Sequence, residues 1–433
     1  MSDKIDIELF PSVLKGEIKA PPSKSLTHRA LICAALSSGQ SKITNIVYSD
    51  DILATINALE LLGAKFEKHD KDLIVKGTRK IKAPSKPINC NESGSTLRFL
   101  IPVFSLSNKE ISFTGNPSLI KRPQSIYKEI FEQDNNIFDI TNNNIVVNGS
   151  VTSREYVLKG NVSSQFFTGL MFALPLLETD STILIDGVLE SKAYINLTIQ
   201  TLKDFGIDIL ELENGYFIKG NQSYKSRNYH IEGDYSQAAF FLVGGVLNGR
   251  IKVSDLDHES FQGDKAIVNV IKVMNGKVIY MENGFITKSS PTIGKTIDLS
   301  DFPDLGPIIA LLGSLSKGKT IITNASRLRI KESDRIESTV KTLKALGANI
   351  SSTKDEIIIT GKSSLKGGVT VDSYNDHRIA MMVSIAASLS QEKVILTNAN
   401  AVSKSYPTFF KDYESVQGKL NIIKEWYYED HRS

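Results

Sequence analysis

Hydrophobic and polar positions along the chain recur in a unit of roughly 70 residues, and six copies follow one another. Each copy opens with a small or polar cluster that leads directly into an apolar helix. The openings are Ser23-Lys24-Ser25, Ser93-Gly94-Ser95, Ser163-Ser164-Gln165, Asp234-Tyr235-Ser236, Asp304-Leu305-Gly306 and Asp376-His377-Arg378. A β-rich stretch, a second helix and a short strand follow in most copies, which makes a helix–strand–helix–strand unit. The pattern predicts an α/β (α+β) chain with about a dozen helix N-termini, each able to attract an anion.

The second helix is clearest in the fifth copy, where Ile336, Val340, Leu343 and Leu346 recur every three or four positions. Gly347 follows directly, and a glycine suits the left-handed end of a helix. A short strand is expected after it, ending at a second glycine about 14 residues further on, as from Gly347 to Gly361.

The length and the number of repeats predict two domains of three units each. A chain of 433 residues is too long for a single core. The sixth copy is cut short near Gly418, and a strand from residues 1–20 would complete it. We therefore expect one domain from residues 1–20 plus 231–433 and the other from residues 21–230. Short hinges are expected near Pro21-Pro22, since two prolines stiffen the chain, and between Tyr229 and Gly233.

The composition is that of an ordinary globular protein, with 41% hydrophobic and 23% charged residues. A net charge of +3 is too small to favour nucleic acid or an anionic membrane as a partner. Cys33 and Cys90 are the only cysteines, and the six histidines lack metal-ligand spacing, so we expect no metal. There is no Walker or dinucleotide-binding motif, so we expect no cofactor. Without a signal peptide or membrane span, the expected location is cytoplasmic.

The segment from Ser23 to Arg29 is the sharpest candidate for anion binding. Ser23 is a good N-cap, so Lys24, Ser25 and Arg29 should lie within about one turn of a positive helix end. An ammonium, a hydroxyl, a guanidinium and backbone N–H groups are what a phosphate or carboxylate needs. An ordinary capped helix with surface charges is the alternative.

A second candidate is the segment from Arg327 to Arg335. Lys331 and Arg335 are four residues apart, so we expect them on one helical face, beside Glu332 and Asp334. Cations at a helix N-terminus are unfavourable because they are repelled by the positive end of the macrodipole. An anionic ligand would compensate for that repulsion. A solvated face of ion pairs is the alternative.

The remaining openings contain further polar groups in the same frame. Asn375 or Asp376 can cap a helix, which places Arg378 in its first turn, and His377 beside it is either structural or able to titrate. Basic residues precede a proline in Lys121-Arg122-Pro123 and Lys404-Ser405-Tyr406-Pro407, where proline suits the first turn of a helix. Asp304 and Glu332 are candidates for an acid and a base, or else capping carboxylates.

These motifs, taken in order, resemble the 5-enolpyruvylshikimate-3-phosphate synthase family of enolpyruvyl transferases over nearly the whole chain. The resemblance rests on Ser23-Lys24-Ser25, Arg29-Ala30, Ser93-Gly94-Ser95-Thr96, Arg98, Lys121-Arg122-Pro123, Ser163-Ser164-Gln165-Phe166, Ser191-Lys192-Ala193-Tyr194, Pro303-Asp304, Lys331-Glu332-Ser333-Asp334-Arg335, Asn375-Asp376-His377-Arg378 and Lys404-Ser405-Tyr406-Pro407. It implies a two-domain inverse α/β barrel, each domain with three βαβαββ repeats, and an active site in the interdomain cleft. It also implies transfer of the enolpyruvyl group of phosphoenolpyruvate to the 5-hydroxyl of shikimate 3-phosphate, and a monomer that binds neither nucleic acid nor membrane.

The resemblance also implies roles for individual residues. Asp304, Glu332 and Lys24 would be catalytic. Shikimate 3-phosphate would be held by Lys24, Ser25, Arg29, Ser163, Ser164, Gln165, Ser191, Tyr194, Asp304 and Lys331. Phosphoenolpyruvate would be held by Lys24, Gly94, Arg122, Gln165, Arg335, Arg378 and Lys404.

The chain departs from the family pattern at Glu92, Phe99 and Ala193, which puts affinity rather than the reaction in question. Gly94 has no side chain, so the family inhibitor glyphosate should still enter. Two alternatives stay open. One is the sister transferase acting on UDP-N-acetylglucosamine, although the region around Asn116 to Arg122 lacks that family's usual cysteine. The other is a non-catalytic repeat protein that binds polyanions.

Overall fold

A computed structural model of the protein describes residues 5–141 and 143–423. His431, one of the scattered histidines, lies outside the described residues. The described residues form two compact units. Unit 1 contains residues up to Ala20, Tyr235–His258 and the residues from Asp264 onward, and unit 2 contains Pro21–Asp234 and Glu259–Gly263.

The helices in chain order are α1 Lys24–Leu36, α2 Asp50–Leu62, α3 Gly94–Ser105, α4 Pro117–Ile120, α5 Ser125–Gln133, α6 Ser164–Ala173, α7 Lys192–Asp204, α8 Tyr235–Asn248, α9 Ala266–Val273, α10 Gly306–Ser314, α11 Arg335–Ala345, α12 His377–Ser388 and α13 Phe409–Ser415. Short 3-10 helices span Leu174–Leu176, Gly263–Lys265, Pro303–Leu305, Ser326–Ile330 and Ala399–Lys404. Among the described residues, every helix is too short or too polar to cross a membrane.

The strands are β1 Asp6–Phe10, β2 Leu14–Lys19, β3 Gln40–Thr44, β4 Lys65–His69, β5 Asp72–Lys76, β6 Ile88–Asn89, β7 Ile111–Thr114, β8 Ile137–Ile140, β9 Asn144–Asn148, β10 Glu155–Lys159, β11 Ser181–Asp186, β12 Ile209–Leu212, β13 Gly215–Ile218, β14 Asn228–His230, β15 Gly249–Ser254, β16 Lys277–Met281, β17 Gly284–Lys288, β18 Thr296–Asp298, β19 Lys319–Thr323, β20 Asn349–Ser352, β21 Ile357–Thr360, β22 Thr370–Asp372, β23 Val394–Thr397 and β24 Lys419–Ile423.

The described strands form six four-stranded sheets, one for each repeat. Unit 2 contains the orders β14-β3-β5-β4, β6-β7-β9-β8 and β10-β11-β13-β12. In each, a parallel pair is followed by two antiparallel pairs, because the last two strands of the repeat form a hairpin. A glycine with positive φ follows the second helix at Gly63, Gly206 and Gly347, as the repeat pattern predicts, but two paired strands come after it where the pattern predicted one.

Unit 1 contains the orders β2-β15-β17-β16, β18-β19-β21-β20 and β22-β23-β1-β24. The N-terminal strand β1 lies between β23 and β24, with Ile7 opposite Leu396 and Ile422. It therefore completes the sixth sheet, in which the C-terminal repeat supplies the other strands. The next strand, β2, pairs in parallel with β15 and belongs to a different sheet of the same unit.

The first helix of each repeat is buried along nearly its whole length and is mostly apolar, which is typical of a helix in a core. In unit 2 these helices are α1, α3 and α6, and α3 packs against α6. In unit 1 they are α8, α10 and α12, which contact one another. The strands alternate between buried and accessible positions, so each sheet presents one face to these helices. Helices inside and sheets outside agree with the predicted inverse α/β barrel.

Polar residues at the repeat openings cap the helices that follow. The side chains of Ser23, Ser93 and Ser163 accept hydrogen bonds from backbone N–H groups at the starts of α1, α3 and α6. Asp334 and Asp376 do the same for α11 and α12. The small or acidic residue thus fixes where the helix begins in four of the six openings, whereas Asp304 does not cap α10.

Three details differ from the sequence predictions. Lys331 and Arg335 do not share a helical face, because Asp334 caps α11 and Lys331 lies in extended backbone at the end of a 3-10 helix. Pro123 and Pro407 lie just before the N-caps of α5 and α13, not in the first turns. Residues 231–234 and 259–263, predicted to belong with residues 1–20, group with unit 2 instead. In the first of these segments the carbonyl oxygen of Glu232 accepts from the backbone N–H of Ser23.

Candidate active site

Lys24 is the first residue of α1, and two carboxylates hold it. Its Nζ lies 2.8 Å from Oδ2 of Asp51, in the first turn of α2. Its backbone N–H donates to Oδ2 of Asp234 over 3.0 Å. The ammonium therefore lies at the positive end of a helix, as the sequence predicts, and pairs with Asp51, while Asp234 holds the backbone of the same residue.

Arg29 is buried one turn further along α1. Its three guanidinium nitrogens donate to Thr198 Oγ1 at 2.9 Å, Ser25 O at 2.6 Å and Tyr194 O at 3.1 Å. Burial lowers the pKa of Arg29 to about 10. In this structure Arg29 joins α1 to α7 and brings Ser25 and Tyr194 together, both of which were expected to contact a sugar phosphate.

A buried chain of hydrogen bonds links the first three helices of unit 2. His28 Nδ1 lies 2.8 Å from Thr55 Oγ1, which lies 2.7 Å from Thr96 Oγ1, and the Thr96 hydroxyl donates to Ser93 Oγ. Burial, with the charges of Lys24 and Arg29, holds the pKa of His28 well below its usual range. This chain fixes the start of α3, at Gly94, relative to α1.

Gly94, Arg122 and Gln165 converge at the start of α3. A Cβ placed on Gly94 would lie 3.1 Å from Arg122 Nη1 and 3.6 Å from Gln165 Oε1. The Nε and Nη2 atoms of Arg122 are buried and have no hydrogen-bond partner within residues 5–141 and 143–423. Backbone N–H groups, a guanidinium and an amide thus face one point, which is a suitable arrangement for an anion.

The serines of the third repeat lie near Gln165 in the chain. Ser163 caps α6 by accepting from Gln165 N, and Ser164 is buried as the first residue of α6. Ser191 is buried at the start of α7 with φ of +56°. A non-glycine residue with positive φ is uncommon, and such backbone is often found at binding sites.

In unit 1, Asp304 is surrounded by three cations. Its Oδ1 lies 2.8 Å from Arg335 Nη1 and 3.4 Å from Lys331 Nζ, and its Oδ2 lies 3.1 Å from Arg378 Nη2. Burial alone would raise the pKa of Asp304, but Arg378, Lys331 and Arg335 outweigh it and hold the pKa well below the usual range. Burial, only partly offset by Asp304, lowers the pKa of Lys331 to about 8.

Asp376 anchors this cluster from beneath. It is fully buried and accepts from Arg335 Nε at 2.7 Å and Nη2 at 3.1 Å, from Ser333 Oγ and from Arg378 N. The charge of Arg335 overcomes the effect of burial and lowers the pKa of Asp376. Lys331 and Arg335 therefore meet at Asp304 although they belong to different elements.

Glu332 contacts both a histidine and an arginine. Its Oε2 lies 2.8 Å from His377 Nδ1, and its Oε1 lies 3.6 Å from Arg335 Nη2. Atoms of Glu332, Asp376 and His377 lie within 4.8 Å of one another, close enough for a metal ion. Arg335 already balances both carboxylates, so a divalent cation would have to displace a buried guanidinium. These residues fit an acid–base group better than a metal site.

Lys404 ends the 3-10 helix Ala399–Lys404 and is buried, with its Nζ donating to Asn375 O over 2.5 Å. This hydrogen bond places the ammonium beside the residue that precedes Asp376, the N-cap of α12.

Within each unit, the predicted residues are thus brought together at helix starts. Asp51, Arg98 and Asp234 complete these clusters without having been assigned a role from sequence, and Asp376, expected only as a helix cap, also pairs with Arg335.

Comparison with known proteins identifies the family. Residues 10–413 match the family described as EPSP synthase (3-phosphoshikimate 1-carboxyvinyltransferase). A relative from Clostridium novyi (strain NT) named 3-phosphoshikimate 1-carboxyvinyltransferase is 48% identical over 97% of the chain and 99% of its own length. One from Clostridioides difficile (strain 630) with the same name is 44% identical over 97% and 98%.

Solved structures share the fold at low sequence identity. EPSP synthase from Acinetobacter baumannii superposes with a TM-score of 0.81 at 23% identity, covering 97% of this chain and 100% of that one. The enolpyruvyl transferase NikO from Streptomyces tendae superposes with a TM-score of 0.79 at 14% identity, covering 98% and 99%. The fold is therefore that of enolpyruvyl transferases.

Proposed function

The chain belongs to the EPSP synthase family, and we propose that the charged clusters described above bind and convert the two anionic substrates of that family's reaction. The protein is an enzyme, a 3-phosphoshikimate 1-carboxyvinyltransferase of the shikimate pathway, which leads to chorismate and the aromatic amino acids. It transfers the enolpyruvyl group of phosphoenolpyruvate to the 5-hydroxyl of shikimate 3-phosphate and releases phosphate.

The guanidinium of Arg122 carries the proposal for phosphoenolpyruvate. Two of its nitrogens are buried without a hydrogen-bond partner in the described residues, which is costly for a charged group. A phosphate or carboxylate near Gly94 would satisfy them. We assign Lys24, Gly94, Arg122, Gln165, Arg335, Arg378 and Lys404 to phosphoenolpyruvate, because a substrate with both phosphate and carboxylate needs several cations.

Hydroxyl groups and cations support the proposal for shikimate 3-phosphate. The hydrogen bonds of Arg29 hold Ser25 and Tyr194 beside each other, and Ser163 and Ser164 start a helix whose N-terminus favours a phosphate. We assign Lys24, Ser25, Arg29, Ser163, Ser164, Gln165, Ser191, Tyr194, Asp304 and Lys331 to this substrate.

Proton transfer is assigned to Asp304, Glu332 and Lys24. Asp304 would accept the proton of the attacking 5-hydroxyl, and Glu332 would exchange the methylene proton of the enolpyruvyl group, with Lys24 assisting. Two carboxylates in different environments can take opposite roles in one reaction. Asp304 contacts three cations, whereas Glu332 pairs with His377, and this difference favours separate roles.

The deciding experiment is phosphate release from phosphoenolpyruvate and shikimate 3-phosphate. The wild type should release phosphate, and Arg122→Met should raise the KM for phosphoenolpyruvate by about 100-fold, the effect of losing a charged contact made without water. Lys121→Met removes an exposed cation from the neighbouring position and should behave as wild type. A folded wild-type protein that releases no phosphate would refute the proposal.

The same assay separates the alternative substrates. Replacing shikimate 3-phosphate with UDP-N-acetylglucosamine should abolish phosphate release, and unrelated DNA should not bind at moderate salt. We also propose that the chain acts as a monomer in the cytoplasm without binding membranes, since all assigned groups belong to one chain. Light scattering and cell fractionation test these points.

A further inference from the structure

Arg98 of α3 links two regions of the chain that contain residues assigned to phosphoenolpyruvate and that lie far apart in sequence. It is 6% exposed. Its Nη1 donates to Gln165 Oε1 and its Nη2 to Pro123 O, each over 2.9 Å. One guanidinium thus contacts the side chain of Gln165 and the carbonyl of the residue that follows Arg122. Gln165 and Arg122 are both assigned to phosphoenolpyruvate.

The contact with Arg98 determines which end of the Gln165 amide faces which neighbour. A guanidinium has N–H donors and no acceptor, so only the amide oxygen of Gln165 can face it. The amide nitrogen must then face the other way, where Nε2 lies 3.1 Å from Ser95 Oγ. Amide orientation is normally decided by the whole hydrogen-bond network, and here a single buried partner decides it.

The orientation matters because of what lies at Gly94. A Cβ at Gly94 would lie 3.1 Å from Arg122 Nη1 and close to both ends of the Gln165 amide, 3.6 Å from Oε1, which already accepts from Arg98, and 3.9 Å from Nε2. The amide nitrogen has two hydrogens, and Ser95 accepts one. The second hydrogen remains for an anion beside Gly94. If the amide were reversed, its carbonyl oxygen would face Ser95 and would repel a phosphate or carboxylate.

We propose that Arg98 is a positioning residue that makes Gln165 a donor toward phosphoenolpyruvate and holds the backbone beside Arg122. This inference rests on the proposed function and adds which end of the Gln165 amide faces the substrate. Arg98 would not touch the substrate itself. Its effect would pass through Gln165 and through the carbonyl of Pro123.

A purely structural role for Arg98 is the competing explanation. Its guanidinium lies 4.9 Å from the ring centre of Phe166, and its carbonyl accepts from the Tyr127 hydroxyl. The carbonyl contact survives any side-chain substitution. Variants that differ only in hydrogen-bonding capacity can therefore separate polarity from packing.

The test compares Arg98→Lys, Arg98→Gln and Arg98→Met by thermal unfolding and by steady-state kinetics in each substrate. Lysine has donors only and keeps the Gln165 oxygen facing it, but it cannot also replace the contact with Pro123, so Arg98→Lys should raise the KM for phosphoenolpyruvate less than the other two variants do. Glutamine can donate or accept and methionine does neither, so both should raise that KM about tenfold or more, the effect of one charged hydrogen bond.

Two further variants sharpen the test. Gln165→Glu can accept from Arg98 but cannot donate to an anion, so it should fold normally and lose phosphoenolpyruvate affinity by about 100-fold. Arg154→Met is the matched control. Arg154 donates to Gln133 Oε1 at 3.1 Å and Ile130 O at 3.2 Å and lies over Tyr156, outside the site, so its loss should leave KM unchanged.

The inference is overturned if Arg98→Lys is as impaired as Arg98→Met, if Arg98→Gln equals wild type, or if Gln165→Glu keeps its affinity. Absence of phosphate release by the wild type would instead remove the proposed function. In that case, calorimetry with inorganic phosphate compares the same variants. Equal affinity of the wild type and Arg98→Gln would then refute the role of Arg98.

Discussion

Arg335 Nη1 lies 2.8 Å from Asp304 Oδ1, so the carboxylate assigned as the base is paired with a cation assigned to a substrate anion. The charges around Asp304 hold its pKa well below the usual range, which makes it a weak base in this state. An anion that draws Arg335 and Arg378 away would raise that pKa. Substrate binding would therefore activate the base, since the same cations bind both Asp304 and the substrate anion.

This coupling predicts the behaviour of Asp304→Asn. Turnover should fall by about 10²- to 10⁴-fold, the usual contribution of a general base. The KM for phosphoenolpyruvate should stay constant or fall, because the three cations lose a competing carboxylate. Steady-state kinetics in both substrates test this. Asp301→Asn changes an exposed acid in the same loop and serves as the control. A higher KM with unchanged turnover would contradict the assignment.

Lys331 predicts a pH dependence of substrate binding. Its pKa is lowered to about 8 by burial, so the free enzyme loses this positive charge as the pH rises through that value. Shikimate 3-phosphate prefers the protonated form, and its affinity should fall by up to about tenfold per pH unit above pH 8. Calorimetry at several pH values measures the slope.

Lys331→Arg and Lys331→Met provide the two controls for that slope. Arginine stays charged throughout the range, so its affinity should be flat above pH 8. Methionine should bind weakly at every pH. A wild-type affinity that does not change with pH would show that Lys331 does not bind this substrate.

The buried ring of His28 should make the free energy of unfolding depend on pH. Its pKa in the folded protein lies well below the ordinary 6.5, so above that value both states are neutral and His28 has no effect. Below it, the unfolded chain binds a proton that the folded chain does not, and the free energy of unfolding falls as the pH falls. The NMR signal of the His28 ring should not shift between neutral and mildly acidic pH. A shift of the His28 signal in that range would contradict this.

Asp376 predicts a large effect on stability. Asp376→Ala would leave Arg335 buried without its two-point partner, and the free energy of unfolding should fall by about 3–5 kcal/mol. Ser333→Ala removes only one hydrogen bond to Asp376 and should cost about 1 kcal/mol. Urea unfolding of both variants measures the difference. Similar small losses in both would show that the ion pair is not important for folding.

Gly94 predicts sensitivity to glyphosate. The wild type should be inhibited at millimolar glyphosate when phosphoenolpyruvate is limiting. In Gly94→Ala, a methyl group 3.1 Å from Arg122 Nη1 would crowd an anion bound there. The affinities for phosphoenolpyruvate and for glyphosate should each fall by roughly tenfold. The melting temperature should not change, because Gly94 has an ordinary φ. Full activity of the wild type under these conditions would refute the prediction.

The repeat and the helix caps could be predicted because their signals are local. Ser23 and Asp376 cap the helices that the pattern placed after them. The paired positions of Lys331 and Arg335 were predicted wrongly for the same local reason: Asp334 is the better cap and starts α11 later than simple spacing suggests. Arg98 and Gln165 are 67 residues apart, and no local pattern shows that α3 and α6 place them in contact.

The position of β1 determines when unit 1 can be completed. Residues 6–10 pair with residues 419–423, so β1 waits for a strand that is synthesised about 400 residues later. At about 5–20 residues per second, this delay is roughly 20–80 s. Most of unit 2 is continuous in sequence and can form meanwhile. During synthesis, the apolar side chains of Ile7 and Leu9 therefore stay without their partners longest, and this interval is when the nascent chain is most exposed to aggregation.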